Sequence, residues 1–191
     1  MKGCVALLIL AGACGSGSAT HVTISGGTTA FTGTEAMSAF WSLTAFSSEG
    51  PNYPVTLVSV SVVSASGLCE DVKARIIRAS STFVNIEVSH GTADPIPAGT
   101  YSVGFPSAGD AAPTAGVMVT SADASCQTKA GPGTFASSGT VTLSRIDATA
   151  VSGSVDVTLS DGGRITGVFF APRCAAVETF DPAAEWKCAP R

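Results

Sequence analysis

Apolar and hydroxyl-bearing residues alternate one by one in several separate stretches of this chain. In one of them Val84, Ile86 and Val88 are each followed by a polar residue. Because successive side chains of a β-strand point to opposite faces of the sheet, this period of two predicts strands with one apolar and one hydroxyl-rich face. Antiparallel sheets with one solvated face show this pattern. The other predicted strands contain Val22–Ile24, Val58–Val62, Tyr101–Phe105, Val141–Leu143 and Val155–Leu159.

Turn residues separate the last of these strands. Asp161-Gly162-Gly163 lies between Val155–Leu159 and Ile165–Phe169. An Asp-Gly pair supplies the positive φ angles that a tight hairpin needs. Asp147-Ala148-Thr149 is expected to turn the preceding strand, so that residues 137–171 form three consecutive antiparallel strands.

The strand pattern predicts an all-β, mainly antiparallel fold, with a single β-sandwich over residues 21–191. A small up-and-down β-barrel is the alternative. One short helix is expected within Gly67–Ala79, where Cys69, Val72 and Ile76 recur near helical spacing. A second helical turn is expected over Asp181–Trp186, because Asp181 suits a helix cap and Pro182 the first helical position.

Charge argues against one class of partner. Only 13% of the residues are charged, and the formal net charge is −4. A nucleic-acid-binding protein needs a basic face to neutralise phosphates, so we expect no nucleic-acid partner.

The N-terminal residues predict export. Lys2 precedes an apolar run over residues 5–10, and Ala11-Gly12-Ala13 are small residues of the kind found at signal-peptide cleavage sites. Residues 1–13 are therefore read as a signal peptide, and residues 14–20 as Cys14 followed by a flexible Gly/Ser tether. No later apolar run is long and unbroken enough to predict a membrane-spanning helix.

Leu10-Ala11-Gly12-Ala13-Cys14 resembles the lipobox of bacterial lipoproteins. That resemblance implies lipidation of Cys14, and hence a membrane anchor. Gly15 in place of aspartate favours the outer membrane where the cell has one. The alternative is cleavage by an ordinary signal peptidase, which would make the protein secreted.

The cysteine count fits lipidation. Cleavage before Cys14 removes Cys4, and lipidation of Cys14 leaves four cysteines that can pair in an oxidising compartment. We expect bridges Cys174–Cys188 and Cys69–Cys126, with a Cys126–Cys174 bridge as the alternative. No Cys-x-x-Cys pair accompanies the two histidines, so neither a metal site nor a cofactor is expected.

Candidate catalytic groups are few. Ser89, His90 and Asp94 contain the residue types of a hydrolytic triad, but such residues are also ordinary at a strand end. Glu70-Asp71 could act as a carboxylate pair, but adjacent acids also favour the first turn of a helix. We therefore expect a non-enzymatic protein, with a hydrolase as the less favoured reading.

The densest aromatic group contains Phe40, Trp41, Phe46 and Tyr53. Adjacent residues of a strand point to opposite faces, so one of Phe40 and Trp41 should be core and the other surface. Trp41, Phe46 and Tyr53 are therefore candidates for stacking on sugar rings, the alternative being core packing and an interface contact.

The C-terminal third is similar to a recurrent pattern in predicted bacterial lipoproteins of uncharacterised function. The similarity lies in Ser138–Leu143, Val151–Val157 and Gly167–Cys174, with Pro97–Tyr101 upstream. It implies a β-rich fold and an envelope location, and no catalytic residue. The sequence thus predicts a lipid-anchored envelope domain with a protein or glycan partner; a carbohydrate-binding module is the alternative.

Overall fold

The computed structural model describes residues 19–27, 29–45, 53–104, 112–129, 135–179 and 185–190. Within these ranges the chain forms thirteen β-strands and two short helices. The strands are β1 (His21–Ser25), β2 (Phe31–Gly33), β3 (Glu35–Ala45), β4 (Tyr53–Val63), β5 (Ile76–Arg78), β6 (Thr82–His90), β7 (Gly99–Ser102), β8 (Thr114–Ala122), β9 (Thr128–Lys129), β10 (Ala136–Ile146), β11 (Ala150–Leu159), β12 (Arg164–Pro172) and β13 (Lys187–Ala189). The helices are α1 (Leu68–Ala74) and α2 (Ala175–Glu178).

Two antiparallel sheets face each other. One has six strands in the order β2-β1-β12-β11-β10-β7, and the other has five in the order β3-β4-β6-β8-β9. Two isolated β-bridges link the sheets, one between Ser38 and Arg173 and one between Val103 and Ala115. Within the described ranges no continuous ladder of hydrogen bonds joins the two sheets into a closed barrel. The predicted β-sandwich is confirmed, and the alternative of a barrel is wrong.

The core lies between the two inner faces. Val60, Ile86 and Val117 of the five-stranded sheet are buried, as are Ile165 and Phe169 of the six-stranded sheet. Val60 and Ile86 are apolar positions of the predicted alternating stretches. Burying one apolar face of each strand is the main source of stability in such a fold.

The three-strand meander is confirmed, and acidic turn residues build its hairpins. Asp147 accepts hydrogen bonds from the backbone N–H groups of Thr149 (2.8 Å) and Ala150 (3.0 Å). Asp161 accepts one from the N–H of Gly163 (2.9 Å), and Gly162 has the positive φ of 85° that the turn requires.

The helix predicted within Gly67–Ala79 is present but shorter. Arg75 adopts the left-handed conformation, with φ at 56°, and ends α1. The chain then enters β5, which pairs in parallel with β13. At the other end Gly67 has no side chain to cap the helix, and the carboxylate of Glu35 on β3 accepts hydrogen bonds from the N–H groups of Gly67 and Leu68 (both 2.8 Å).

Helix α1 covers part of the outer face of the five-stranded sheet. Leu68 packs there with Met37 and Val63 in a second, smaller apolar cluster. Phe83 and the half-buried Val72 lie at its edge. The sandwich is therefore covered on one outer side by α1, β5 and β13.

Both expected disulfide pairings are wrong, as is the alternative. The bridges join Cys69 to Cys174 and Cys126 to Cys188. Cys174 follows β12 and donates its backbone N–H to Ser38 of β3 (2.8 Å), which places it beneath α1. Cys188 lies on β13, whose pairing with β5 brings it to the loop that contains Cys126. Sheet packing, and not separation along the chain, determines the partners.

In the described part of the chain no helix is long and apolar enough to cross a bilayer. Residues 1–13, Cys14, Phe46 and most of the turn expected over Asp181–Trp186 lie outside the described residues. Helix α2, by contrast, is described and was not anticipated. Thr20, which the sequence assigns to the tether, is buried, and its hydroxyl bonds the backbone of Phe170 on β12.

Candidate functional site

A strip of apolar side chains lies on the outer face of the five-stranded sheet, beyond the area covered by α1. The register of β3 and β4 places Trp41 opposite Leu57 and Leu43 opposite Val55, and Tyr53 lies two residues before Val55 on β4. Residues two apart on a strand share a face, so these side chains lie on one surface. We call it the aromatic strip, and it consists of Trp41, Leu43, Tyr53, Val55 and Leu57.

The prediction that Phe40 and Trp41 diverge is confirmed. Phe40 packs against the sandwich core, and the guanidinium of Arg173 lies 5.2 Å from the centre of its ring. Trp41 points to the outer face and is half-buried. Of the two adjacent rings, only Trp41 is therefore available to an external ligand.

Two of the three predicted stacking residues share the strip. Trp41 and Tyr53 lie on adjacent strands, with roughly 13 Å between them along the strand direction. Trp41 and Tyr53 are both half-buried. Leu43, which lies between them along the strand direction, is 50% exposed. Phe46 lies outside the described residues, so its position relative to the strip stays a prediction.

Polar groups border the strip on the same face. Ser89 of β6 lies opposite Leu57, and Glu87 lies opposite Ser59 in the next row. Glu87 as a residue is exposed, yet its carboxyl is partly desolvated by its neighbours, which raises its pKa. The face therefore combines apolar rings with hydroxyl and carboxyl groups, which is the composition of many ligand surfaces.

Sequence reasoning missed Leu43, Val55 and Leu57. A signal was present, because the apolar alternation changes phase within β4. Val58, Val60 and Val62 point into the core, whereas Val55 and Leu57 take the outward positions. A strand whose outward residues are apolar at one end needs a cover or a partner there.

The structure does not assemble a triad from Ser89, His90 and Asp94. Ser89 and His90 are consecutive on β6 and point to opposite faces. His90 is only 8% exposed, and its Nδ1 lies 3.2 Å from the hydroxyl of Thr92. That hydroxyl donates to Asp94 (3.0 Å), so the three residues form a local turn network without the serine.

The two carboxylates of the acidic pair Glu70-Asp71 bind different basic residues. Both residues belong to the first turn of α1, as expected for acids near a helix N-terminus. Glu70 pairs with Lys73 at 2.6 Å on the exposed side. Asp71 pairs with Arg78 through two hydrogen bonds of 2.8 and 2.5 Å. The two carboxylates therefore do not face a common site.

A cavity of about 230 Å³ lies between α1 with β5 and the outer face of the five-stranded sheet. The sequence did not reveal it, because its lining comes from segments that are far apart along the chain. Across the described ranges, no group of three or more His, Cys, Asp or Glu side chains could hold a metal ion.

Comparison with protein-family models, with curated proteins and with solved structures finds no match to this chain.

Proposed function

We propose that this chain is a lipid-anchored protein of the cell envelope whose sandwich domain binds a partner without catalysing a reaction. The lipid is attached to Cys14, and the domain is displayed outside the cytoplasm. The resemblance of residues 10–14 to a lipobox and of the C-terminal third to bacterial lipoproteins supports the anchor.

The observation that carries the proposal is the closure of two disulfides. Cys69, Cys126, Cys174 and Cys188 pair with one another, and such bridges persist in oxidising compartments outside the cytoplasm. Once the signal peptide with Cys4 is removed, Cys14 is the one remaining cysteine. A cysteine at a cleavage point without a disulfide partner suits acylation.

The candidate catalytic side chains are held in ion pairs or point to different faces, which supports a binding role. Asp71 holds Arg78, Glu70 holds Lys73, and Ser89 and His90 point to different faces of the sheet. The aromatic strip is the surface that we assign to the partner, since Leu43 is half exposed and β4 is apolar outward at this point.

A glycan is the second candidate for that partner, supported by Trp41 and Tyr53 on one face. Aromatic rings on one sheet face can stack on sugar rings, and Glu87 and Ser89 can bond sugar hydroxyls. A protein partner would instead use the aliphatic side chains of the strip as much as its rings.

Metabolic labelling with palmitate tests the anchor. The full chain, produced in a bacterial host, should incorporate label and sediment with membranes, whereas C14S should be unlabelled and soluble. A wild-type chain that stays unlabelled, reduced and among the soluble cell contents would overturn the proposal.

Glycan-array binding tests the choice of partner. If the partner is a glycan, W41A and Y53A should each weaken binding about tenfold or more while the thermal unfolding midpoint (Tm) holds. Phe135, an aromatic outside the strip that is 51% exposed, provides the matched control F135A. Absence of any glycan signal would leave the protein partner as the assignment.

A further inference from the structure

The cavity under α1 has apolar walls. On the sheet side these are Met37, Val63 and Phe83, and on the covering side Leu68, Val72, Ile76, Ile77 and Trp186. Several of them, including Phe83, Ile76 and Trp186, remain only half-buried. The covering layer therefore leaves apolar surface that a bound apolar molecule would remove from water.

The floor carries a chain of polar side chains. The hydroxyl of Ser61 donates to Oδ1 of Asn85 (2.9 Å), and Nδ2 of Asn85 donates to the hydroxyl of Thr120 (3.3 Å). All three line the cavity. Thr120 accepts from Asn85 and retains its own proton to donate, so it can bond an oxygen of a ligand.

An ion pair stands at the rim. Asp71 and Arg78 both line the cavity and are joined by two hydrogen bonds. Their opposite charges sum to zero, so the ion pair gives the rim no net charge that would attract an ion. An anionic group would also lie near the carboxylate of Asp71, and burying any charge without a partner is costly.

Covalent bridges tie the elements that form the walls to the sandwich. The Cys69–Cys174 bridge ties α1 to the end of β12, and the Cys126–Cys188 bridge ties β13 to the loop after β8. Glu35 additionally caps α1 from β3. A preformed cavity binds its ligand with less loss of conformational entropy than one that must assemble.

We propose that this cavity binds a small, uncharged amphipathic molecule, with a hydrocarbon chain or ring between α1 and the sheet and a single hydroxyl or amide at the Asn85–Thr120 floor. Its size suits a medium-chain alcohol, because an apolar cavity of about 150 Å³ holds benzene and this one measures about 230 Å³. The site is separate from the aromatic strip and does not depend on the function proposed for it.

Fluorescence of the neutral aromatic amine 1-aminoanthracene provides the test. The oxidised full chain carrying C14S should be used, so that no detergent competes for the probe. We expect a saturable increase in probe fluorescence that 1-octanol reverses, with octanoate about tenfold weaker than 1-octanol. Amide shifts on adding 1-octanol should concentrate at Phe83, Asn85 and the indole of Trp186.

Matched substitutions locate the site. V72F should fill the cavity and weaken probe binding about tenfold or more, whereas V168F, on the outer face of the other sheet, should leave it unchanged. T120V, which keeps the side-chain shape and removes the hydroxyl, should weaken 1-octanol about fivefold and remains informative if V72F fails to fold.

Two sets of results would contradict the proposal, one for the site and one for the ligand. No saturable fluorescence, or equal binding by V72F and V168F, would overturn the site. Octanoate binding more tightly than 1-octanol, or T120V leaving the affinity for 1-octanol unchanged, would overturn the assigned ligand chemistry.

Discussion

Asp71 of α1 and Arg78 of β5 form a two-point ion pair, with Nε donating to Oδ2 over 2.8 Å and Nη2 donating to Oδ1 over 2.5 Å. The pair spans the left-handed turn at Arg75 and holds the helix against the strand that follows. Asp71 is only 9% exposed, and its hydrogen bonds raise the pKa of the Arg78 guanidinium. This contact therefore organises the layer that covers the sheet.

Replacing the buried acid should loosen that layer. D71N removes the charge while keeping the side-chain shape, and we expect Tm to fall by roughly 4–8 °C because the buried carboxylate that holds Arg78 is lost. E70Q is the matched control, since the Glu70–Lys73 pair is exposed and such pairs add little stability. Equal Tm values for D71N and E70Q would contradict this account.

The disulfide connectivity can be read directly. Proteolysis without reduction, followed by mass spectrometry, should yield one linked pair of peptides containing Cys69 and Cys174 and another containing Cys126 and Cys188. Removing either bridge by a double Cys→Ala change should cost roughly 2–4 kcal/mol of unfolding free energy. Detection of a Cys174–Cys188 peptide in the folded protein would refute the arrangement.

Gly167 on β12 should tolerate no side chain. Its φ is 152°, and a Cβ would lie 2.1 Å from the carbonyl oxygen of His21 on β1. G167A should therefore lower the unfolding free energy by roughly 2–4 kcal/mol, measured by urea denaturation. G116A is the control, since a Cβ at Gly116 meets nothing within 4 Å. Similar losses in both variants would show that the close approach of β1 to Gly167 is not the cause.

Acid should weaken the contact between α2 and the sandwich. The carboxylate of Glu178 accepts hydrogen bonds from Arg173 (2.8 and 2.7 Å) and from the N–H of Phe40 (3.0 Å). These bonds, chiefly those from Arg173, lower the pKa of Glu178 in the folded state. The stability they contribute is therefore complete above the unfolded pKa of about 4.3 and is lost as the pH falls through the lower folded value.

The measurement is Tm between about pH 6 and about pH 2.5 for the wild type and E178Q. E178Q should begin less stable and lose less on acidification, so that the two curves converge at low pH. Curves that stay parallel over the whole range would show that Glu178 does not contribute to the acid sensitivity.

Local chemistry made the meander predictable. Asp147 and Asp161 bond the backbone two residues ahead, and Gly162 supplies the required positive φ, so both hairpins are specified within a few residues. The opposite directions of Phe40 and Trp41 follow equally from the geometry of any strand. In these places the interaction partners are neighbours along the chain.

The covering layer could not be predicted in the same way. The helical spacing of apolar residues continues through Ile76 and Ile77. The helix nevertheless ends at Arg75, and the chain enters β5 because β13, near the C-terminus, is available to pair with β5. The phase change within β4 marked an apolar outward surface, yet only the hairpin register shows that Tyr53 and Trp41 share it.

Sequence alone determined the all-β antiparallel class and the 137–171 meander, because alternation and turn residues act locally. It left the sandwich and the barrel as alternatives, and only the packing of the two sheets decided between them. Tertiary structure decided that Cys69 joins Cys174 and Cys126 joins Cys188, and it created the cavity beneath α1. The reason is physical: a cysteine pairs with the sulfur that sheet packing brings within bonding distance, and a cavity is the space left between segments that meet only after the chain has folded.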